Sequence, residues 1–75
     1  MTPYGNLSGN SGVVAFSVDD NSINIQFRDS SKLYVYDGTK PGSLHVERMK
    51  ELAAAGRGLG TYISQNVKKN YARVE

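Results

Sequence analysis

Two tyrosines one residue apart, Tyr34 and Tyr36, are the side chains of this 75-residue chain best suited to contact a ligand. Aromatic rings stack on nucleic-acid bases, and lysine or arginine side chains neutralise phosphates and release counterions. Four cations follow in the second half of the chain, namely Arg57, Lys68, Lys69 and Arg73. These six residues form a candidate nucleic-acid-binding set if the tyrosines face solvent on the surface that carries the cations.

Charge is divided unevenly along the chain. Residues 1–37 carry two basic and four acidic side chains, a net charge of −2, whereas residues 38–75 carry seven basic and three acidic side chains, a net charge of +4. A basic half of this kind can bind phosphate, but lysine and arginine on a solvated helix face also serve solubility alone. The charge pattern therefore permits a nucleic-acid partner without requiring one.

Residues typical of catalytic and metal sites are scarce. His45 is the only histidine, and the chain has no cysteine for a thiolate zinc site or a disulfide. Asp19, Asp20 and Asn21 lack the spaced oxygen ligands of a calcium loop, and a capped turn is the simpler interpretation. We therefore predict a protein that is not an enzyme, with His45 at the surface and with no catalytic residue, metal or cofactor.

The glycine-rich run at residues 56–60 resembles a phosphate-binding loop at a helix N-terminus. It does not follow a predicted strand, and it lacks both the Lys-Ser/Thr pair of a P-loop and the spacing of a dinucleotide-binding fingerprint. A tight joint between two helices is the better interpretation.

Three segments have the composition of half-buried strands, and the first two alternate clearly between apolar and polar residues. The inward-facing residues predicted for those two are Val14, Phe16, Val18, Ile23, Ile25 and Phe27. A third β-rich run covers residues 32–36. The preceding residues 1–12 are rich in Gly, Asn and Ser, and we predict a loose arm that Tyr4 and Leu7 pin to a single domain at residues 13–75.

The loop between the second and third strands decides where the tyrosines point, because a shift of one residue turns every side chain to the other face. A two-residue loop would pair Ile25 with Tyr34 and Ile23 with Tyr36, and both rings would face the core. A three-residue loop would pair Ile25 with Val35 and leave both tyrosines on the opposite face. The loop lacks the glycine that two-residue hairpin turns favour, so we predict the longer loop.

Two helices are predicted in the second half of the chain. Ser43 is a suitable N-cap for the first, which Gly56 is placed to end in the left-handed conformation, and the second begins near Gly60 or Thr61. The apolar stripe of the second helix comprises Leu59, Tyr62, Ile63, Val67 and Tyr71. The residues expected to share one core are Ile25, Phe27, Met49, Leu52, Ile63 and Val67. The order β-β-β-α-α predicts a small α+β domain in which two helices pack on one face of a three-stranded antiparallel meander.

Three motifs follow one another along the chain: an Ile-x-Ile-x-Phe strand, the Tyr34-Val35-Tyr36 triplet, and the run GRGLGTYI followed by VKKNY. In this order they resemble the KTSC domain, a small bacterial domain also found at the C-terminus of some lysyl-tRNA synthetases. The resemblance covers about residues 11–72 and implies a single-domain relative of that family, for which RNA binding is suspected. Only Tyr34 and Tyr36 match the central motif, and the family offers no catalytic residue to carry over.

The expected function is that of a small non-catalytic binding module that contacts RNA or single-stranded nucleic acid through the tyrosines and the basic helix end. The alternative is a protein–protein interaction module, or a weak homodimer, that uses an exposed edge of the first or third strand. The chain shows no signal-peptide pattern and no run of 18 apolar residues, so we expect no membrane partner and a cytoplasmic location.

Overall fold

The periodic apolar segments fold into an α+β structure with one five-stranded antiparallel sheet and two helices. The computed structural model describes residues 2–5, 12–28, 30–67 and 69–75. In chain order the elements are β1 (Thr2–Pro3), β2 (Val13–Val18), β3 (Ser22–Phe27), β4 (Leu33–Asp37), α1 (Ser43–Ala55), α2 (Leu59–Tyr62), a π-helical turn (Ile63–Val67) and β5 (Arg73–Val74). Within the described ranges, every helix is too short or too polar to cross a membrane.

The three predicted strands form the centre of the sheet, whose order is β1-β2-β3-β4-β5. The predicted three-stranded meander is incomplete, because β1 pairs with β2 and β5 pairs with β4. Each added strand has two residues, too few to show an alternating pattern. The prediction of a loose arm over residues 1–12 is wrong for Thr2 and Pro3, which pair with β2. The predicted anchoring by Tyr4 is confirmed by its burial, and Leu7 lies outside the described residues.

A β-bulge in β2 changes which valine enters the core. Val13 pairs with Phe27 and Ala15 pairs with Gln26, so the register shifts by one residue at Val14. Val13 is 1% exposed, whereas Val14 is 39% exposed. The prediction that Val14 faces inward is therefore wrong, because the extra residue of a bulge is left out of the ladder and turns away from its neighbours.

The β3–β4 hairpin has the register that turns both tyrosines to the core face of the sheet. Ile25 pairs with Tyr34 and Ile23 pairs with Tyr36, so the prediction of the longer loop is wrong. Ile23, Ile25 and Tyr36 are at most 1% exposed, and removing these side chains from water outweighs the lack of a turn glycine. Ser30 supports the turn instead, because its Oγ accepts a backbone N–H two residues later at 3.1 Å.

Helix α1 is bounded by two glycines in conformations that favour glycine. Gly42, with φ 118°, is the N-cap, and it provides no side-chain hydrogen bond. Ser43 is the first residue of the helix, so the prediction that it is the N-cap is wrong. Gly42 is held in place by a hydrogen bond from its backbone N–H to the Asp37 carbonyl oxygen at 3.1 Å. Gly56, with φ 78°, ends α1 in the left-handed conformation, and this prediction is confirmed.

The second helix begins earlier than predicted, at Leu59, because Gly58 takes a left-handed conformation (φ 82°) and serves as the N-cap. The helix continues into the π-helical turn, and its stripe reaches the core through Leu59, Ile63 and Val67. Buried residues from both helices and the sheet form one core, made of Tyr4, Val13, Ile23, Ile25, Tyr36, Val46, Met49, Ala53, Leu59, Ile63 and Val67. The predicted core is confirmed, with Phe27 and Leu52 packed against it as partly buried members.

Candidate nucleic-acid interface

Four aromatic rings meet where β3, β4 and the segment before β5 come together. Phe27 and Tyr34 lie edge to face with ring centroids 5.2 Å apart, and Tyr34 lies edge to face with Tyr71 at 5.1 Å. Tyr71 also contacts Tyr36 at 6.1 Å. Edge-to-face pairs at these distances are favourable beyond the area that they bury. We call these four residues the aromatic cluster.

Tyr36 is the buried base of the aromatic cluster. Its side chain is 1% exposed, so the ring has no free face for a base. Burial raises the pKa of the Tyr36 hydroxyl to about 12, with smaller contributions from the neighbouring Tyr71 and Tyr34. The expectation that Tyr36 stands outward is therefore wrong, since the observed hairpin register places it in the core.

The other three members, Phe27, Tyr34 and Tyr71, are only partly buried. Tyr34 is held between the rings of Phe27 and Tyr71, so its orientation is fixed before any ligand arrives. The apolar spacing predicts Tyr71 only as part of the stripe of the second helix. The π-helical turn ends at Val67, and the chain then carries Tyr71 across to β4. The available signal for this placement was an aromatic residue just past a helix end, followed three residues later by the β-branched Val74.

The predicted cations lie in different parts of the structure. Arg73 is exposed on β5, opposite Val35, and its Nε lies 2.6 Å from the Glu75 carboxylate, which raises the Arg73 pKa. Lys69 is exposed and precedes Tyr71 by two residues, whereas Lys68 lies outside the described residues. Arg57 is exposed in the joint between the helices, on the β1 side of the sheet, and is not brought to the aromatic cluster.

Two further cations flank the β3–β4 hairpin loop. Arg28 follows Phe27 directly, and Lys32 precedes Leu33, which pairs with Gln26. Both Arg28 and Lys32 are exposed. The hairpin register therefore brings two positive charges to the end of the sheet that carries the Phe27 and Tyr34 rings. We call Arg28, Lys32 and Lys69 the flanking cations.

His45 joins the two helices instead of standing alone at the surface. Its Nδ1 and the hydroxyl oxygen of Tyr62 are hydrogen-bonded at 2.7 Å, and both side chains are partly buried. The prediction of a surface residue is thus only partly right. A histidine and a tyrosine alone do not make a metal site, and no group of three or more candidate ligands occurs among the described residues.

The predicted turn at residues 19–21 is present. The Asp19 N–H donates to the Ser22 carbonyl oxygen at 2.9 Å, and the Asp19 carboxylate accepts from Ser22 and Asn24 side chains at 3.4–3.5 Å. Lys50 reaches this turn from α1, where its Nζ donates to the Asp20 carbonyl oxygen at 3.0 Å. These polar groups are satisfied by one another, as expected for a structural turn.

Comparison with known protein-family models, curated proteins and solved structures yields no match to this chain. The resemblance to the KTSC domain therefore stays a prediction. The candidate interface depends on the geometry of the aromatic cluster and its flanking cations.

Proposed function

We propose that this protein is a small non-catalytic module that binds single-stranded RNA weakly through the exposed side of the aromatic cluster. The observation that carries the proposal is the chain of three partly buried rings, Phe27, Tyr34 and Tyr71, held edge to face beside exposed cations. This surface replaces the Tyr34–Tyr36 pair of the sequence-based hypothesis, in which Tyr36 was to stack on a base.

Ring geometry supports this proposal in one specific way. A base that stacks on a flexible exposed tyrosine must first immobilise that side chain, which costs conformational entropy. Tyr34 is already fixed by two edge-to-face contacts, so little of this cost remains. Stacking on one ring contributes about 1–3 kcal/mol per base, which is too little for tight binding by so small a surface. We therefore expect micromolar or weaker dissociation constants.

Electrostatics supports the same surface. Lysine and arginine side chains that approach phosphates release condensed counterions, so the logarithm of the binding constant falls with the logarithm of salt concentration. Arg28 and Lys32 lie at the hairpin end, and Lys69 lies two residues before Tyr71. The charge of Arg73 is partly neutralised by Glu75, so we assign it a smaller contribution than Lys69.

The alternative function, capture of a partner at an open strand edge, has less support on the β4 side. β5 covers the edge of β4 at Tyr34 and Val35, and the Leu33 and Glu75 backbones exchange hydrogen bonds at 2.7–2.8 Å. A partner strand would have to displace these contacts. On the other side of the sheet, residues 2 and 3 cover the edge of β2.

Fluorescence anisotropy with a labelled, mixed-sequence single-stranded RNA tests the proposal. Lys69→Ala should reduce the slope of log K against log salt by about 0.7, the value expected for one lost phosphate contact on a single strand. Arg57→Ala is the matched control, because Arg57 is also exposed but lies on the β1 side of the sheet. Equal slopes for the two variants would contradict the assignment of the surface.

A second pair of variants separates stacking from charge. Tyr71→Ala should weaken binding at least about fivefold without changing the salt slope, because the lost interaction is uncharged. Tyr62→Ala removes a partly buried tyrosine from another surface, where it contacts His45, and should leave the affinity unchanged. Unaltered binding in Tyr71→Ala, at retained far-UV circular dichroism, would leave only nonspecific attraction between charges.

A further inference from the structure

Residues 2–5 lie on the edge of β2 in the way that a bound peptide lies on a receptor. Thr2 pairs with Phe16 and Pro3 pairs with Ala15. The Tyr4 N–H continues this ladder by donating to the Val14 carbonyl oxygen at 3.0 Å. Backbone pairing of this kind is the basis of peptide recognition by strand addition.

Side-chain recognition accompanies the backbone ladder. The Tyr4 side chain is 6% exposed, and its Oη accepts a hydrogen bond from the Leu59 N–H at 3.1 Å in the joint between the helices. A Cβ atom added at Gly5 would lie 3.3 Å from the Gly56 Cα, a tight contact that requires the neighbouring backbone to shift by a few tenths of an ångström. The edge of β2 and the joint together therefore fit an extended segment in which a tyrosine is followed by a small residue.

Proline at the outer edge limits what can be added beyond β1. The Tyr4 N–H points toward β2, where it donates to Val14. The backbone nitrogens of successive residues in a strand point to opposite edges, so the ring nitrogen of Pro3 points away from β2. Proline lacks an N–H there and cannot template another strand. Addition at this edge therefore stops at one segment, which favours closed pairs of chains over open fibres.

We propose that the edge of β2 and the interhelical joint accept residues 2–5 of a second copy of this chain, in a reciprocal exchange between two molecules. A second copy supplies the one segment whose complete fit to this site is visible, with the same tyrosine, glycine and backbone contacts. Reciprocal exchange of an identical segment is a closed, two-fold arrangement. It breaks only a two-residue ladder and the Tyr4 contacts before it remakes them.

Concentration decides between the two arrangements. A segment tethered by a short linker competes at an effective concentration in the millimolar range. We therefore expect a monomer at micromolar protein and a measurable dimer at about millimolar protein. The edge of β2 lies on the side of the sheet opposite β5. An experiment that refutes the exchange therefore leaves the proposed RNA binding untouched, and the reverse also holds.

The test is a sample that mixes isotope-labelled and unlabelled full-length chains at about millimolar concentration after heating and slow cooling. Isotope-filtered nuclear Overhauser spectra should show contacts between the Tyr4 ring of one molecule and Leu59 of the other. Tyr4→Phe loses a hydrogen bond that both arrangements make, so it should lower the stability of monomer and dimer alike and leave the dimerisation constant within about twofold of the wild-type value. Absence of intermolecular contacts, with sedimentation of a monomer at the same concentration, would overturn the proposal.

A peptide locates the site independently of the exchange. An acetylated and amidated Thr-Pro-Tyr-Gly peptide should shift the Leu59 amide resonance of full-length Tyr4→Ala, and a peptide with alanine for tyrosine should not. If neither peptide shifts that resonance in a folded variant, the strand-accepting site itself is refuted. If the tyrosine peptide binds while the wild-type chain stays monomeric, the second copy is refuted as its occupant.

Discussion

The hydroxyl oxygen of Tyr4 accepts a buried hydrogen bond from the backbone N–H of Leu59, a residue 55 positions later in the chain. The first N–H groups of a helix have no partner within the helix, and Leu59 is the first residue of α2. Tyr4 therefore satisfies a helix N-terminus that no side chain of the joint caps, while its ring fills the core. One side chain links the segment at residues 2–5 to the helical pair.

Removal of that hydroxyl should be costly. Tyr4→Phe leaves the Leu59 N–H buried without a partner, and we expect it to lower the free energy of unfolding by about 1–3 kcal/mol. Tyr62→Phe loses a hydrogen bond to His45 that is only partly buried, and it should cost about 1 kcal/mol or less. Urea denaturation followed by circular dichroism measures both. Equal costs in the two variants would mean that water replaces the Tyr4 hydroxyl.

The bulge in β2 predicts opposite outcomes for two adjacent valines. Val13→Ala removes two methyl groups from a buried position and should cost about 2 kcal/mol, whereas Val14→Ala should change stability by less than about 0.5 kcal/mol. Thermal melts of the two variants test this directly. A larger loss for Val14→Ala would indicate the uninterrupted alternation expected from the sequence.

The central strands, both helices and most of the core could be predicted because each has a periodic apolar pattern long enough to read. The bulge at Val13–Ala15 could not, since one extra residue leaves the composition of the strand unchanged. The hairpin register was decided by burial of Tyr36, a tertiary effect that local turn preferences do not report. β1 and β5 depend on pairing with distant strands and have no local signal of their own.

The joint between the helices gives a prediction about glycine. Gly58→Ala places a Cβ on a residue with φ 82° and should destabilise the protein by about 1–2 kcal/mol. The added Cβ would lie 3.4 Å from Leu52 Cδ2, an ordinary contact, so the cost comes from the backbone. Gly12→Ala is the control, because its Cβ would meet no atom within 4 Å, and its effect should stay within about 0.5 kcal/mol. Similar losses in both variants would contradict this assignment.

Alkaline pH tests the burial of Tyr36. Its pKa is raised from 10.0 to about 12 in the folded protein, so between these values the unfolded chain loses the proton while the folded protein keeps it. The contribution of the neutral Tyr36 hydroxyl to the free energy of unfolding is therefore fully present below pH 10, and roughly 2–3 kcal/mol of it is lost as the pH rises to 12. In Tyr36→Phe this part of the loss should be absent, as measured by urea denaturation at pH 9 and pH 12. The same loss in both proteins would place the ionising group elsewhere.

The candidate interface was only partly predictable. Tyr34 was identified from the sequence, but its partners Phe27 and Tyr71 are far apart in the chain and meet only through the hairpin register and the path after the π-helical turn. Arg57 was grouped with Lys69 because both are basic and lie in the same half of the chain. The fold separates them, since the joint that contains Arg57 approaches Gly5 beside β1.

The most direct test of the proposed function is a titration of isotope-labelled protein with mixed-sequence single-stranded RNA at low salt. We predict shifts of the ring resonances of Phe27, Tyr34 and Tyr71, with the Tyr62 ring unchanged as an internal reference. The shifts should diminish steeply as salt is added, because phosphate contacts release counterions. Unshifted resonances for all three rings, or a response confined to the flanking cations, would contradict the proposal that this surface binds RNA through its aromatic rings.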